Sequence, residues 1–374
     1  MCVPYQLFNI FCRIAGILTC TERRTSYLYS IGTSVHGSKT ALQIACGREQ
    51  LDGSFFFHSC KDNPFIAGLP RQYCLLPLKC AILAFINTSH MYINIRGSLM
   101  DLSHPRVMGI INVTDNSFYE VSRHKTPGSV LDTAALMLDQ GADILDIGGC
   151  STRPGSVPVD AATELDRIRM AVGAIRNNFP DAVISVDTFR AAVAQAAVTD
   201  FGADIVNDIS AGEMDKDMFP LIERLNVPYI LMHMQGTPFT MQKNPEYKDV
   251  VSDILVWFGE KIAELKRRGV RDIIIDPGFG FGKTAEQNFR LLAELDSFSI
   301  TGLPVLAGLS RKTTIWKTLG ITPDEALNGT TALNMAALMK GASILRVHDV
   351  KEAKETVTLF EKMYPSGFSF MHNC

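Results

Sequence analysis

A short apolar segment ending in polar residues, followed by an amphipathic segment at helical spacing, recurs eight times from Arg106 onward. No other feature restricts the possible folds as much. The apolar segments fall at 107–113, 143–147, 182–186, 204–206, 228–231, 273–275, 304–306 and 343–345. Helical periodicity follows each, over 129–140, 161–177, 190–199, 216–225, 250–268, 285–295, 323–339 and 351–362. Gly141 stands where the first helix should stop, since glycine adopts the left-handed conformation at that place without strain. The run Ile273-Ile274-Ile275 is apolar without alternation, which marks a strand covered on both faces and so a parallel sheet. An open doubly wound sheet is one solution. Eight units in about 260 residues, without a long break, favour closure into a single α/β domain, a (β/α)8 TIM barrel.

In such a barrel the C-terminal ends of all strands open on one face. Asn112, Ser151-Thr152-Arg153, Asp187, Asn207, His233, Asp276, Ser310-Arg311-Lys312, Arg346 and His348 should therefore converge. Taken singly, each has a structural explanation: Asp187 and Asn207 as helix caps, His233 as a satisfied core histidine, Lys312 as a surface charge. As a set they divide by chemistry. Asp187, Asn207 and Asp276 supply acceptors and one amide, which suit a flat heterocycle with several N–H groups. Arg153, Arg311, Lys312, Arg346 and His348 supply cationic donors, which suit phosphate or carboxylate, and a helix starting after Lys312 would add to them. The glycine-rich turn Asp276-Pro277-Gly278-Phe279-Gly280-Phe281-Gly282-Lys283 invites comparison with a phosphate-binding loop. Pro277 stands where that motif needs glycine, so the match fails.

Residues 1–100 differ in composition. They carry 9 Lys/Arg against 4 Asp/Glu, whereas 101–374 carry 27 against 35. Seven of the nine cysteines lie in this part, with no Cys-x-x-Cys pair and no regular spacing, so neither a zinc site nor a disulfide framework is supported. Residues 1–90 lack sustained periodicity, and the apolar runs 7–20 and 74–86 are too short or too interrupted, by Arg13 and Lys79, to span a membrane. We expect 1–90 to be an atypical, poorly ordered or non-native extension, and 91–374 to be the barrel. The net charge of −3 offers no basic face for nucleic acid.

Several stretches resemble dihydropteroate synthases: Asn112-Val113-Thr114 with Ser117-Phe118, Gly148-Gly149 with Ser151-Thr152-Arg153-Pro154-Gly155, Ser185-Val186-Asp187-Thr188, and Asn207-Asp208-Ile209. Met232-His233-Met234-Gln235-Gly236-Thr237-Pro238, the Asp276 turn, Ser310-Arg311-Lys312 and Arg346-Val347-His348-Asp349 extend the likeness in the family's order. The resemblance implies condensation of 6-hydroxymethyl-7,8-dihydropterin diphosphate with p-aminobenzoate, releasing pyrophosphate, in a Mg²⁺-dependent cytoplasmic homodimer. By the same resemblance Asp187, Asn207, Asp276 and Lys312 hold the pterin, and Ile209, Met232, Phe281 and Gly308 line its slot. Asn112 reaches Mg²⁺, and Arg346 and His348 bind the diphosphate. Phe118, Thr152, Arg153, Pro154 and Thr313 shape the p-aminobenzoate site. The catalytic set implied is Lys312, Asp187, Arg346 and His348. The chain departs from the family pattern at Asp115-Asn116, Glu120, Val121-Ser122 and Cys150, the last expected to be a small buried residue. A methyltetrahydrofolate-binding methyltransferase domain shares the barrel and the pterin carboxylates, but has no need of the two cationic motifs. A pterin-binding relic without turnover and a Schiff-base aldolase using Lys312 are further readings.

Overall fold

A computed structural model describes residues 28–35, 38–45, 91–113, 126–151, 159–238, 241 and 245–364. The chain divides into two units, Met1–Ile82 and Leu83–Cys374. In the first, strands β1 (Leu28–Val35) and β2 (Ser38–Ala45) pair antiparallel, with Val35 opposite Ser38 and Leu28 opposite Ala45. Neither LYSIGTSV nor SKTALQIA alternates apolar with polar residues, so the hairpin leaves no strand pattern in the sequence.

The second unit opens with another hairpin, β3 (Tyr92–Ile95) and β4 (Ser98–Asp101). Eight parallel strands follow: β5 (Arg106–Asn112), β6 (Ile144–Gly148), β7 (Ile184–Asp187), β8 (Ile205–Asp208), β9 (Tyr229–Met232), β10 (Ile273–Asp276), β11 (Leu306–Ala307) and β12 (Ile344–Val347). Their order is β10-β9-β8-β7-β6-β5-β12-β11, and a parallel bridge between Ile275 and Val305 closes the ring. The barrel is therefore closed, as the eightfold repeat predicts. Ile93, Ile95 and Leu102 pack on Met108, Ile144, Ile205, Ile230, Ile274, Leu306 and Ile344 near the strands' N-terminal ends. The β3–β4 hairpin thus plugs the end opposite the polar residues, where a barrel stores stability rather than chemistry.

The outer helices are α1 (Pro127–Asp139), α2 (Ala161–Asn178), α3 (Ala191–Thr199), α4 (Met218–Leu225), α5 (Val250–Arg267), α6 (Ala285–Ala293), α7 (Thr313–Leu319), α8 (Leu327–Met339) and α9 (Val350–Met363). Helix α5 shows why they form. Asp249 caps it by accepting from Ser252 N at 2.9 Å, Lys266 and Arg267 close its last turn, and Val250, Val251, Ile254, Leu255, Phe258, Ile262 and Leu265 make one buried stripe. Gly141 follows α1 at φ +93°, as the sequence requires. Helix α7, seven residues between β11 and α8, starts directly after Lys312, where the sequence placed a helix N-terminus.

Candidate active site

Strand register sets the floor of the site. Asn112, Gly148, Asp187 and Asn207 are successive partners across β5, β6, β7 and β8, so they form one row at the strands' C-terminal ends. Asp276 is level with Met232 on the neighbouring pair. Asp187, Asn207 and Asp276 are buried. Neither Asp187 nor Asn207 caps the following helix: α3 is preceded by Arg190 and α4 by Asp217, neither with a side-chain cap, and the Ala191 N–H at the start of α3 donates to Asp215 at 2.8 Å.

Arg346 on β12 reaches across the barrel. Its Nη2 lies 2.6 Å from Asp187 Oδ2, and its Nε donates to Asp146 Oδ2 at 2.7 Å. Asn207 donates to the same Asp146 oxygen at 3.1 Å. Asp146 was not among the residues the sequence singled out. It sits mid-strand inside Ile144-Leu145-Asp146-Ile147 and is fully buried; a carboxylate interrupting an apolar run was the signal available in the sequence. Asp146 Oδ1 and Asp187 Oδ1 are buried and make no hydrogen bond with the described protein atoms. Such acceptors are costly unless a donor is brought to them.

Lys312 enters from the other side. Its Nζ donates to the Phe279 carbonyl and lies 4.6 Å above the Phe281 ring. Gly308 stands between the two cations: a β-carbon there would be in ordinary contact, 4.0 Å from both Lys312 Nζ and Arg346 Cβ. Ile209, Met232, Met234 and Met241 form a small apolar cluster against which Phe281 packs. An acid-lined floor and an apolar wall therefore share one recess.

Electrostatics follow from burial. Burial raises Asp187 to about 7, helped by Asp146, Asp208 and Asp276 and opposed by Arg346. Burial also raises Asp276, against the pull of Lys312, the Gly278 N–H and Arg346. Burial lowers Lys312 to about 8, with Asp276 resisting and Arg346 assisting. For Arg346 burial disfavours the cation, but Asp146 and Asp187 outweigh it and hold the guanidinium above its usual range.

His348 Nδ1 is 3.0 Å from Ser310 Oγ, which also accepts from the His348 backbone N–H at 3.2 Å. Arg311 differs from expectation. Its guanidinium is bidentate with Asp349 at 2.9 and 2.8 Å and donates to the Pro323 and Asp324 carbonyls, so it fastens the β11 loop instead of joining the cationic group. Thr313 is exposed at the first position of α7. His233 is buried and satisfied, with Lys283 Nζ 3.1 Å from its Nδ1. Cys150 is a buried free thiol, as its small size suggested. Phe118, Thr152, Arg153 and Pro154 lie outside the described residues, as do Asp115, Asn116 and Glu120.

No group of three or more His, Cys, Asp or Glu suited to hold a metal occurs among the described residues. One oxygen pair is arranged otherwise. A β-carbon on Gly148 would stand 3.4 Å from Asn112 Oδ1 and 3.9 Å from Asp187 Oδ2, so the missing side chain leaves a gap edged by two hard donors. Mg²⁺ uses one or two protein oxygens and takes the rest from water and substrate phosphate, and Asn112 Oδ1, at the end of β5, is an oxygen of that kind.

Residues 108–348 match the family described as pterin binding enzyme. The dihydropteroate synthase of Escherichia coli K12 is 42% identical over 268 residues, which cover 71% of this chain and 94% of that protein. The enzyme of Haemophilus influenzae is 40% identical over 264 residues, covering 70% and 95%. Among solved structures, Yersinia pestis dihydropteroate synthase in complex with a sulfonamide drug superposes with a TM-score of 0.70 at 39% identity, over 74% of this chain and 100% of that one. The Xanthomonas albilineans enzyme with 4-aminobenzoic acid gives 0.67 at 36%, over 74% and 98%. With the same barrel and a family match that runs from β5 to His348, this chain belongs to the pterin-binding enzyme family, among its dihydropteroate synthases.

Proposed function

We propose that the chain joins 6-hydroxymethyl-7,8-dihydropterin diphosphate to p-aminobenzoate, giving 7,8-dihydropteroate and pyrophosphate for folate synthesis. The observation that carries this reading is the shared recess: three buried acceptor residues on the floor, an apolar wall, and Arg346 and Lys312 at its edge. A pterin slides edge-on into such a slot. Asp187, Asn207 and Asp276 take its N–H groups, and Ile209, Met232 and Phe281 cover its face. Lys312 donates to the ring's acceptor side, and Gly308 leaves room for it.

The reaction breaks the bond between the pterin methylene and the diphosphate oxygen, and the electron pair leaves with pyrophosphate. The carbon left behind is stabilised by delocalisation into the ring. Arg346 and His348 stabilise charge building on the leaving group, which is the largest electrostatic demand of the step. The amine of p-aminobenzoate is neutral at pH 7, so it attacks without a strong base and loses its proton afterwards. Position therefore matters more than base strength. Mg²⁺, held by Asn112 beside the diphosphate, would add Lewis-acid neutralisation of the departing phosphate oxygens. Phe118, Thr152, Arg153, Pro154 and Thr313 would shape the p-aminobenzoate side.

A cytoplasmic homodimer completes the reading. Phe289, Leu319 and Met339 are large, exposed and apolar on the mutually packed helices α6, α7 and α8, which supports a subunit face there. No helix among the described residues is long and apolar enough to cross a membrane. We read residues 1–90 as an extension dispensable for the reaction.

The direct test incubates the full chain with pterin diphosphate, p-aminobenzoate and Mg²⁺ and measures pyrophosphate. Release that requires both substrates and is lost in Lys312→Ala is expected. Pterin binding without release would instead support a binding protein that no longer turns over.

A further inference from the structure

Lys283 is singled out by the sequence, and none of the assignments above uses it. It is buried at 3% exposure just beyond the glycine-rich turn. Its Nζ lies 2.9 Å from the Gly278 carbonyl, 3.0 Å from the Phe281 carbonyl and 3.1 Å from His233 Nδ1. These three acceptors match the three hydrogens of an ammonium group. The His233 carbonyl stands further off, at 3.4 Å. Burial lowers His233 well below its ordinary range, with Lys283 adding to the effect, so its imidazole is neutral and able to accept.

The two carbonyls flank the loop that carries the pterin contacts. Asp276 Oδ1 accepts from Gly278 N at 2.7 Å, and Asp276 O accepts from His233 N at 2.9 Å. Lys312 takes the intervening Phe279 carbonyl from the opposite side. The turn from Asp276 to Gly282 is thus gripped between two lysines: one on the recess side, and one beneath, tied to the end of β9. Gly278, Gly280 and Gly282 all sit at positive φ, and the turn is also held by Asn288 Oδ1, which accepts from Gly280 N at 2.7 Å, and by the Tyr247 hydroxyl, which donates to the Gly282 carbonyl at 2.9 Å.

We propose that Lys283 is a positioning residue for the pterin slot. Its ammonium holds the Asp276 turn in the one conformation that presents the Asp276 carboxylate to the heterocycle and lays the Phe281 ring along the heterocycle's face. It acts through the loop and touches no substrate. The proposal rests on the reading of the recess as a pterin site, and its test separates the two.

Steady-state kinetics of the full chain provide that test, with wild type beside Lys283→Met, which keeps the side-chain length and removes all three donors. Lys283 acts like a residue that orients a ligand-binding group, so the expected rise in KM for the pterin diphosphate is about 10- to 100-fold. The KM for p-aminobenzoate and kcat at saturating pterin should stay within about threefold. Lys283→Gln, which retains two donors, should recover part of the loss, and it serves as the second variant if Lys283→Met does not fold. An unchanged pterin KM in a folded variant overturns the proposal. So does a parallel loss in kcat and both KM values, or failure of both variants to fold, since either marks Lys283 as general structural support. A wild-type chain that neither binds the pterin nor releases pyrophosphate overturns the underlying reading, and the proposal with it.

Discussion

Arg346 and Asp146 stand 200 residues apart in the chain, yet their side chains meet at 2.7 Å, with the carboxylate wholly buried. That oxygen also receives the Asn207 amide, so one acid fixes a member of the cationic group and a member of the pterin floor. Asp187 holds the other side of the guanidinium. When a pterin takes Asp187 as an acceptor, Asp146 remains as the arginine's counter-charge.

Asp146→Asn should therefore damage both halves of the site. Removing one partner of a buried charge pair costs on the order of 2–5 kcal/mol, so kcat/KM for the pterin diphosphate should fall by at least about 30-fold. Folding stability should fall by about 2 kcal/mol, cushioned by the remaining Asp187 contact. Steady-state rates and urea unfolding check the two parts, and a change under threefold in kcat/KM would remove Asp146 from the site.

The pH profile of kcat/KM should be a narrow bell. Asp187, raised to about 7, is a full acceptor only above that pH, so activity climbs as it loses its proton. Lys312, lowered to about 8, and Lys283, lowered to about 7, lose charge as pH rises further, so activity then declines. Because kcat/KM reports ionisations of the free enzyme, these unliganded values apply. Lys312→Arg should remove the Lys312 step near pH 8 and reduce the maximum, leaving the Lys283 decline near pH 7 in place. A flat profile from pH 6 to about 9 would contradict the electrostatics described above.

The fully buried Glu164 pairs with the partly exposed Arg190 behind the β7 loop, and Thr188 Oγ1 also donates to Glu164 at 2.5 Å. Arg190 further donates to the Val159 carbonyl at 2.7 Å, just before α2. Glu164→Leu leaves the partly exposed Arg190 cation and the Thr188 hydroxyl without their shared acceptor, and we expect a loss of about 2–3 kcal/mol in urea unfolding. Adding Arg190→Met should restore part of it, because an apolar pair avoids the desolvation cost. A double variant no more stable than the single one would count against this account.

Gly278→Ala should be far costlier than an alanine at Gly269, although both positions have positive φ. At Gly269 nothing stands within 4 Å of a β-carbon, so only the left-handed backbone matters, about 1–2 kcal/mol. At Gly278 the new atom would lie 1.9 Å from the His233 carbonyl, and the turn would have to move. A loss of about 3 kcal/mol or more is expected, with weakened pterin binding. Thermal melts and calorimetric titration of the two variants make the comparison.

The barrel was legible in the sequence because each strand-helix unit is a local pattern. Apolar runs such as Ile273-Ile274-Ile275 declare burial on both faces, and the stripe of α5 declares a helix lying on a sheet. The polar strand ends were legible for the same reason: Asp187, Asn207 and Asp276 each terminate an apolar run. What remained hidden was pairing across the barrel. Asp146 reads as an oddity inside a strand until Arg346 is brought to it, and Arg311 reads as a site cation until Asp349, Pro323 and Asp324 close around it. Lys283 resembles part of a failed phosphate motif until the tertiary fold turns it inward onto Gly278, Phe281 and His233. Periodicity and strand-end chemistry are properties of neighbours in the chain, so the sequence alone determined the architecture and the face that carries the site. The partners of each charge depend on strand register and on burial, which vary with contacts between distant segments, so only the tertiary structure decided which charges face a ligand and which hold the protein together.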